Sequence, residues 1–119
     1  MVALAAGTVV LVPFPFSDLS QSKIRPALVL ARASYEDWIL CQITSRPYSD
    51  SNAVELKESR FASGSLKRTS YARPGKLFTA NYQIVVSHVG VLKSDVHERI
   101  ITAIIEVLRK GVKGTMEKP

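Results

Sequence analysis

The sequence predicts a mainly β fold with one helix: a small, partly open β-barrel of the SH3-like kind, with the helix at the C-terminus. Three observations predict it. Short apolar segments rich in Val, Ile and Phe recur through the first two-thirds of the chain, separated by polar stretches that carry Pro or Gly. From Ser94 onward the hydrophobic period changes from that of strands to that of a helix. The chain has 119 residues, 46% hydrophobic and 22% charged, which suits one domain around one core rather than a disordered segment.

Thr8 to Phe16 reads as the first strand, and the interruptions at Pro13 and Pro15 argue for an edge or a strand end. Ser17 to Lys23 is a polar loop. Pro26 to Ala31 is continuously apolar, as a buried strand would be, and Asp37 to Thr44 is similar. Arg46 to Asn52, with Pro47, is a loop, and Ala53 to Leu56 a short strand. Glu58 to Thr69 is polar, carries Gly64 and reads as a loop or hairpin. Ser70 to Phe78 contains Pro74-Gly75, a turn or kink signal, and Ile84 to Leu92 is strand-like with a break at Gly90.

Ser94 suits an N-cap, with Asp95 in the first turn. Val96, Ile100, Ile104 and Leu108 recur every four residues, and Ile101, Ile105 and Val107 widen the stripe. Arg109 and Lys110 would oppose the negative helix end, and Gly111 suits the position after it. The helix is therefore expected over 95–110, with the stripe serving as core or dimer contact. A single domain is expected over 1–111, followed by a frayed tail, 112–119.

Several classes are disfavoured by composition. No apolar run approaches the ~20 residues needed to cross a bilayer, and Met1 to Ala6 is too short for a secretion signal, so a cytoplasmic location is expected. Cys41 is the one cysteine and lies in the apolar run Trp38-Ile39-Leu40-Cys41, where it reads as a buried small hydrophobe. One cysteine and two histidines cannot build a closed Cys/His zinc site. Sixteen Lys and Arg against ten Asp and Glu give a net charge of +6, which favours a polyanion or an acidic protein as partner.

Two segments place polar residues at the end of an apolar strand. Lys23-Ile24-Arg25-Pro26 enters one, and Ile43-Thr44-Ser45 leaves another. If these strands pair antiparallel, Arg25 and Thr44 share a rim and can converge on one phosphate, since neighbouring strands stand about 5 Å apart. The plainer alternative is a surface Arg25 beside a Thr44-Ser45 turn. His88 and His97 are the only imidazoles; each is expected to be structural or on the surface rather than an acid–base group.

Five blocks, in this order, resemble the MazF/PemK toxin family: Gly7-Thr8-Val9-Val10-Leu11-Val12-Pro13-Phe14; Lys23-Ile24-Arg25-Pro26-Ala27-Leu28-Val29-Leu30; Ile43-Thr44-Ser45; Tyr71-Ala72-Arg73-Pro74-Gly75-Lys76-Leu77-Phe78; and Val89-Gly90-Val91-Leu92 before a terminal helix. The likeness spans about residues 7–110. It implies a CcdB/PemK-like barrel, a homodimer in the cytoplasm, and an endoribonuclease (mRNA interferase) that cleaves single-stranded RNA at short sequences and inhibits growth. It implies no metal and no cofactor. It also implies a cognate antitoxin with an acidic C-terminal segment, and DNA binding by the toxin–antitoxin complex.

By the same resemblance the catalytic pair maps onto Arg25 and Thr44, with Ser45, directly following, as an assistant; Asp18, in the loop before Arg25, is a second candidate assistant from its position alone. A basic groove with stacking surfaces would use Lys23, Arg46, Tyr48, Arg68, Tyr71, Arg73 and Lys76. Arg25 offers a permanent planar cation to phosphate oxygens, and Thr44 can bond a phosphate oxygen or orient the 2′-OH. Arginine stays protonated, so the base is left unassigned. Asp18 could accept a proton or orient Arg25, and the orienting or solvated role is the one expected. Lys57, Arg60 and Lys67 read as a solvated face. Glu58 to Thr69 is longer and more polar than a tight hairpin, which leaves the cleavage sequence unread.

Two other readings use the same architecture. A CcdB-like toxin would bind a protein such as DNA gyrase without cutting RNA, and would depend on its C-terminal residues. A regulatory dimer would only bind an acidic antitoxin.

Overall fold

The computed structural model describes residues 4–15, 22–47 and 49–117. Among these residues seven strands and one long helix follow one another: β1 (Thr8–Pro15), β2 (Ser22–Ser34), β3 (Asp37–Thr44), β4 (Val54–Leu56), β5 (Phe61–Gly64), β6 (Ser70–Asn81), β7 (Ser87–Leu92) and α1 (Ser94–Glu117). Two 3₁₀ turns, Glu58–Arg60 and Tyr82–Ile84, precede β5 and β7. One sheet holds all seven strands in the order β4-β6-β3-β2-β1-β7-β5, with every pairing antiparallel.

The sheet curls on itself. Leu56 of β4 and Phe61 of β5, from its two opposite edges, belong to the same buried cluster as Val9, Leu28, Cys41 and Ile43 of the central strands. Val96, Ile100 and Ile104 of α1 enter that cluster too, so the helix closes the nearly complete barrel. Fully burying one such aliphatic side chain contributes about 1.5–3 kcal/mol. The alternate residues of the same strands, Val10, Val12, Ala27, Val29 and Leu40, form a second cluster with Ala80. Two buried faces explain why Pro26 to Ala31 reads as a continuous apolar run rather than an alternating one.

Several expectations hold in detail and others shift. β3 keeps its expected bounds. β1 is not an edge strand, yet its prolines obey the rule: β7 pairs with it only from Thr8 to Leu11, so Pro13 and Pro15 face β2 alone. The Pro74-Gly75 signal does not end a strand. β6 runs through it with a bulge: Ala72 pairs with Ile43 and Leu77 with Cys41, leaving residues 73–76 opposite Gln42.

The polar stretch 58–69 conceals β5, which pairs with β7. Gly64 (φ +63°) and Gly90 lie where the two backbones touch: a Cβ on Gly90 would sit 2.5 Å from the Ser63 carbonyl oxygen. The Gly90 signal therefore marks a close approach rather than a break.

The helix begins and ends differently from expectation. The Lys93 carbonyl accepts from the N–H groups of Val96 and His97, both at 3.0 Å, so Lys93 is the N-cap and Ser94 the first helical residue. The helix passes through Gly111 to Glu117. Gly111 lacks the positive φ of a terminating glycine, so its backbone continues the helix, taking in most of the expected tail. The apolar stripe divides: Val96, Ile100 and Ile104 are core, while Leu108 is 61% and Val112 59% exposed. Among the described residues no helix is long and apolar enough to cross a membrane.

Candidate active-site cleft

Arg25 and Thr44 meet because the β2–β3 register brings their strand ends together. Ala27 pairs with Gln42, and continuing that register by two residues sets Arg25 across from Thr44. Both line one cleft of about 220 Å³, with Ile24, Pro26, Ile43, Ser45, Leu66, Lys67, Arg68 and Ser70. Its floor is the start of β2 and the end of β3. Its far wall is the segment between β5 and β6, which supplies Leu66, Lys67 and Arg68.

The lining has a definite chemical character. Arg25, Lys67 and Arg68 are cations, and Thr44, Ser45 and Ser70 carry hydroxyls. No carboxylate and no imidazole is among the described lining residues. Such a site suits a phosphate: fixed cations face the anion and hydroxyls complete its hydrogen bonds.

Thr44 is buried, and its hydroxyl is held on both sides. It accepts from the Arg46 N–H at 3.1 Å and donates to the Arg46 carbonyl at 3.1 Å. A hydroxyl has one proton and two lone pairs, so this arrangement leaves one lone pair for a ligand. Thr44 thus presents an acceptor, which fits a substrate hydroxyl better than a phosphate oxygen.

The other expected residues divide. Ser45 and Arg68 line the cleft with Arg25 and Thr44. Tyr71 is the direct partner of Thr44 on β6, and Arg46 is joined to Thr44 through its backbone. Lys23 is exposed, two residues before Arg25, and pairs with Phe14. Lys76 is exposed on the β6 bulge and does not line the cleft. Arg73 does not line it either: its Nε donates to the Asp50 carboxylate at 2.9 Å. Asp18 and Tyr48 lie outside the described residues.

Lys67 was expected on a solvated face; it is exposed, and it also lines the cleft wall beside Arg68. The adjacency of the two basic residues was the available signal, but the hidden β5 obscured where their segment runs.

The histidines stand elsewhere. His88 is exposed and borders a separate hollow with Tyr82, Gln83 and Ser87. His97 lies near Gly7, where an added Cβ would come within 4.0 Å of its ring; burial pushes its pKa down, opposed by the Glu98 charge, and its Nδ1 is buried without a partner among the described residues. Cys41 is buried, and burial pushes its thiol up to about 12, so it is a neutral thiol donating to the Arg73 carbonyl at 3.1 Å. Among the described residues no three His, Cys, Asp or Glu side chains gather to hold a metal ion.

Comparison with solved structures finds the same fold. A mycobacterial endoribonuclease in complex with its cognate antitoxin superposes with a TM-score of 0.69 at 15% identity, covering 89% of this chain and 95% of that one. A MazE–MazF crystal structure from Deinococcus radiodurans gives 0.71 at 20% identity, covering 91% and 97%. The toxin MazF of that organism, crystallised in another form, gives 0.71 at 20% identity, covering 91% and 98%. A search of curated protein sequences finds no match. At these identities the structures establish the fold. The sequence itself matches the family model for PemK-like, MazF-like toxins over residues 5–108, nearly the whole barrel and most of the helix. The chain therefore belongs to the PemK-like, MazF-like toxins of type II toxin–antitoxin systems.

Proposed function

We propose that the chain is a metal-independent, sequence-specific endoribonuclease that cleaves single-stranded RNA in the cytoplasm and is neutralised by a cognate antitoxin. The observation that carries this reading is the convergence of Arg25, Thr44 and Ser45 in one cleft walled by Lys67 and Arg68. The folds it shares with an endoribonuclease held by its antitoxin support the same reading.

The chemistry follows from the lining. The ribose 2′-oxygen attacks the adjacent phosphorus, the bond to the 5′-oxygen breaks, and the products are a 2′,3′-cyclic phosphate and a free 5′-OH. Thr44 accepts from the 2′-OH and aims its oxygen at phosphorus. Arg25, with Lys67 and Arg68, faces the charge that grows on the phosphate oxygens, where aligned donors contribute most. Arg25 hydrogen-bonds the departing 5′-oxygen, which takes its proton from water. The described lining offers no base, so the 2′ proton passes to solvent hydroxide or to Asp18. Lys23, Arg46 and Tyr71, near the same rim, guide the flanking nucleotides.

The exposed stripe of Ile105, Leu108 and Val112 supports a homodimer, because a soluble chain rarely leaves neighbouring large aliphatic side chains in water. An acidic antitoxin segment fits the cationic cleft, so one surface would serve substrate and inhibitor.

Incubating purified protein with a long single-stranded RNA in EDTA tests the reading. Cuts at one short recurring sequence, leaving cyclic phosphate and 5′-OH ends, support it. Intact RNA would remove the enzyme claim and leave a protein-binding toxin of the CcdB-like kind.

A further inference from the structure

The segment that carries Thr44 into the cleft has an unusual route. β3 and β4 lie on opposite sides of β6, so residues 45–53 must cross from one flank of that strand to the other. Midway across, Asp50 meets the strand it passes: its Oδ2 accepts from Arg73 Nε at 2.9 Å. The two side chains are only 12% and 20% exposed, so this pair is shielded from water, unlike the Lys57–Glu55 pair at 3.7 Å.

Both ends of the contact are themselves fixed. Asp50 Oδ1 accepts from the Asn52 N–H at 2.9 Å, and the Asp50 N–H donates to the Pro47 carbonyl at 3.0 Å. Arg73 opens the β6 bulge, and its carbonyl accepts from the Cys41 thiol at 3.1 Å. Pro74, next to it, is fully buried. The crossing loop is thus tied to a rigid point two residues from Tyr71, the strand partner of Thr44. The loop's first residues are Ser45, which lines the cleft, and Arg46, whose backbone holds the Thr44 hydroxyl on both sides.

We propose that Asp50 and Arg73 are positioning residues for RNA cleavage: their ion pair fastens the 45–53 crossover and so fixes the Thr44–Arg46 turn against Arg25. This rests on the ribonuclease reading of the cleft. It also gives Arg73 a different task from phosphate binding, since its Nε is turned to Asp50. A reacting hydroxyl displaced by about 1 Å can lower a rate by roughly a hundredfold, so loosening the crossover acts on turnover rather than on affinity.

The test measures kcat and KM on a single-site RNA for wild type, Asp50→Asn, Asp50→Glu and Arg73→Lys, with folding followed by circular dichroism and Arg25→Ala as the reference. Expected are kcat losses of roughly ten- to a hundredfold for Asp50→Asn, with KM within about twofold of wild type. Asp50→Glu, which keeps the charge, recovers part of the loss. If Asp50→Asn does not fold, Arg73→Lys decides, because it keeps the cation and loses the Nε donor: lower kcat at unchanged KM supports the assignment. Wild-type kcat in the folded variants overturns it, as does a rise in KM alone for Arg73→Lys, which would make Arg73 an RNA ligand. If Arg25→Ala is inactive while Asp50→Asn is fully active, only this inference fails. If Arg25→Ala cleaves normally, or wild type does not cleave, the reading of the cleft fails with it.

Discussion

The Thr44 hydroxyl lies 3.1 Å from both the N–H and the carbonyl oxygen of Arg46, so one side chain closes the turn that leaves β3 and faces the cleft at once. Thr44 therefore has a structural task and, in the proposed mechanism, a chemical one, and two substitutions separate them. Thr44→Ser keeps the hydroxyl and should retain activity within about tenfold of wild type. Thr44→Val keeps the shape but leaves the Arg46 N–H without its acceptor, at about 0.5–1.5 kcal/mol, and should lose nearly all cleavage. Melting temperature and single-turnover rate, measured side by side, check both.

Lys67 and Arg68 share the cleft wall and are both exposed. Lys67→Ala should raise KM several-fold with little change in kcat or melting temperature. It should also flatten the salt dependence of RNA binding by about 0.7 in log–log slope, the loss of one phosphate contact on a single strand. An unchanged slope would return Lys67 to the solvated surface.

The fold was legible wherever hydrophobic period alone decides it. β3 and the core-facing half of α1 follow directly from their patterns. β5 was not, because Phe61 is its only buried residue and its polar neighbours read equally as loop or hairpin. The Pro74-Gly75 bulge was visible as an irregularity, yet only the pairing of β6 with β3 shows that the strand continues. The end of α1 was misplaced because Gly111 at a helix end and Gly111 within an exposed helix look alike in sequence.

In the cleft, Arg25, Thr44 and Ser45 were readable as strand-end residues. Lys67 was not, since its place depends on β5. Nor was the partnership of Arg73 with Asp50, which are 23 positions apart and meet only because the loop crosses β6.

With no carboxylate or imidazole among the described lining residues, the 2′ proton has no internal acceptor there. The cleavage rate at saturating RNA should rise with pH at close to tenfold per unit from about pH 6 to about pH 9. A plateau already reached near pH 6, abolished in Asp18→Asn, would instead assign the base to Asp18.

His97 makes a separate prediction about stability. Burial lowers its folded pKa below the ordinary 6.5. The unfolded chain then takes up the proton more readily than the folded one. Stability is unaffected by this group above pH 6.5 and declines as pH falls from there toward the lowered folded value. His97→Gln should flatten denaturant midpoints across that acidic window. A slope identical to wild type would contradict the burial of the imidazole.

In the proposed mechanism Arg25 and Thr44 act together in one cleft on one phosphodiester. The most direct test is the single-turnover cleavage rate of one defined single-stranded RNA in EDTA for wild type, Arg25→Ala, Thr44→Ala and the double variant. Each single variant, folded by circular dichroism, should lose at least about a hundredfold, and the double variant should lose little more than the worse single one, as residues acting as a unit do. Near-wild-type cleavage by either single variant, or losses that multiply fully in the double, would contradict it.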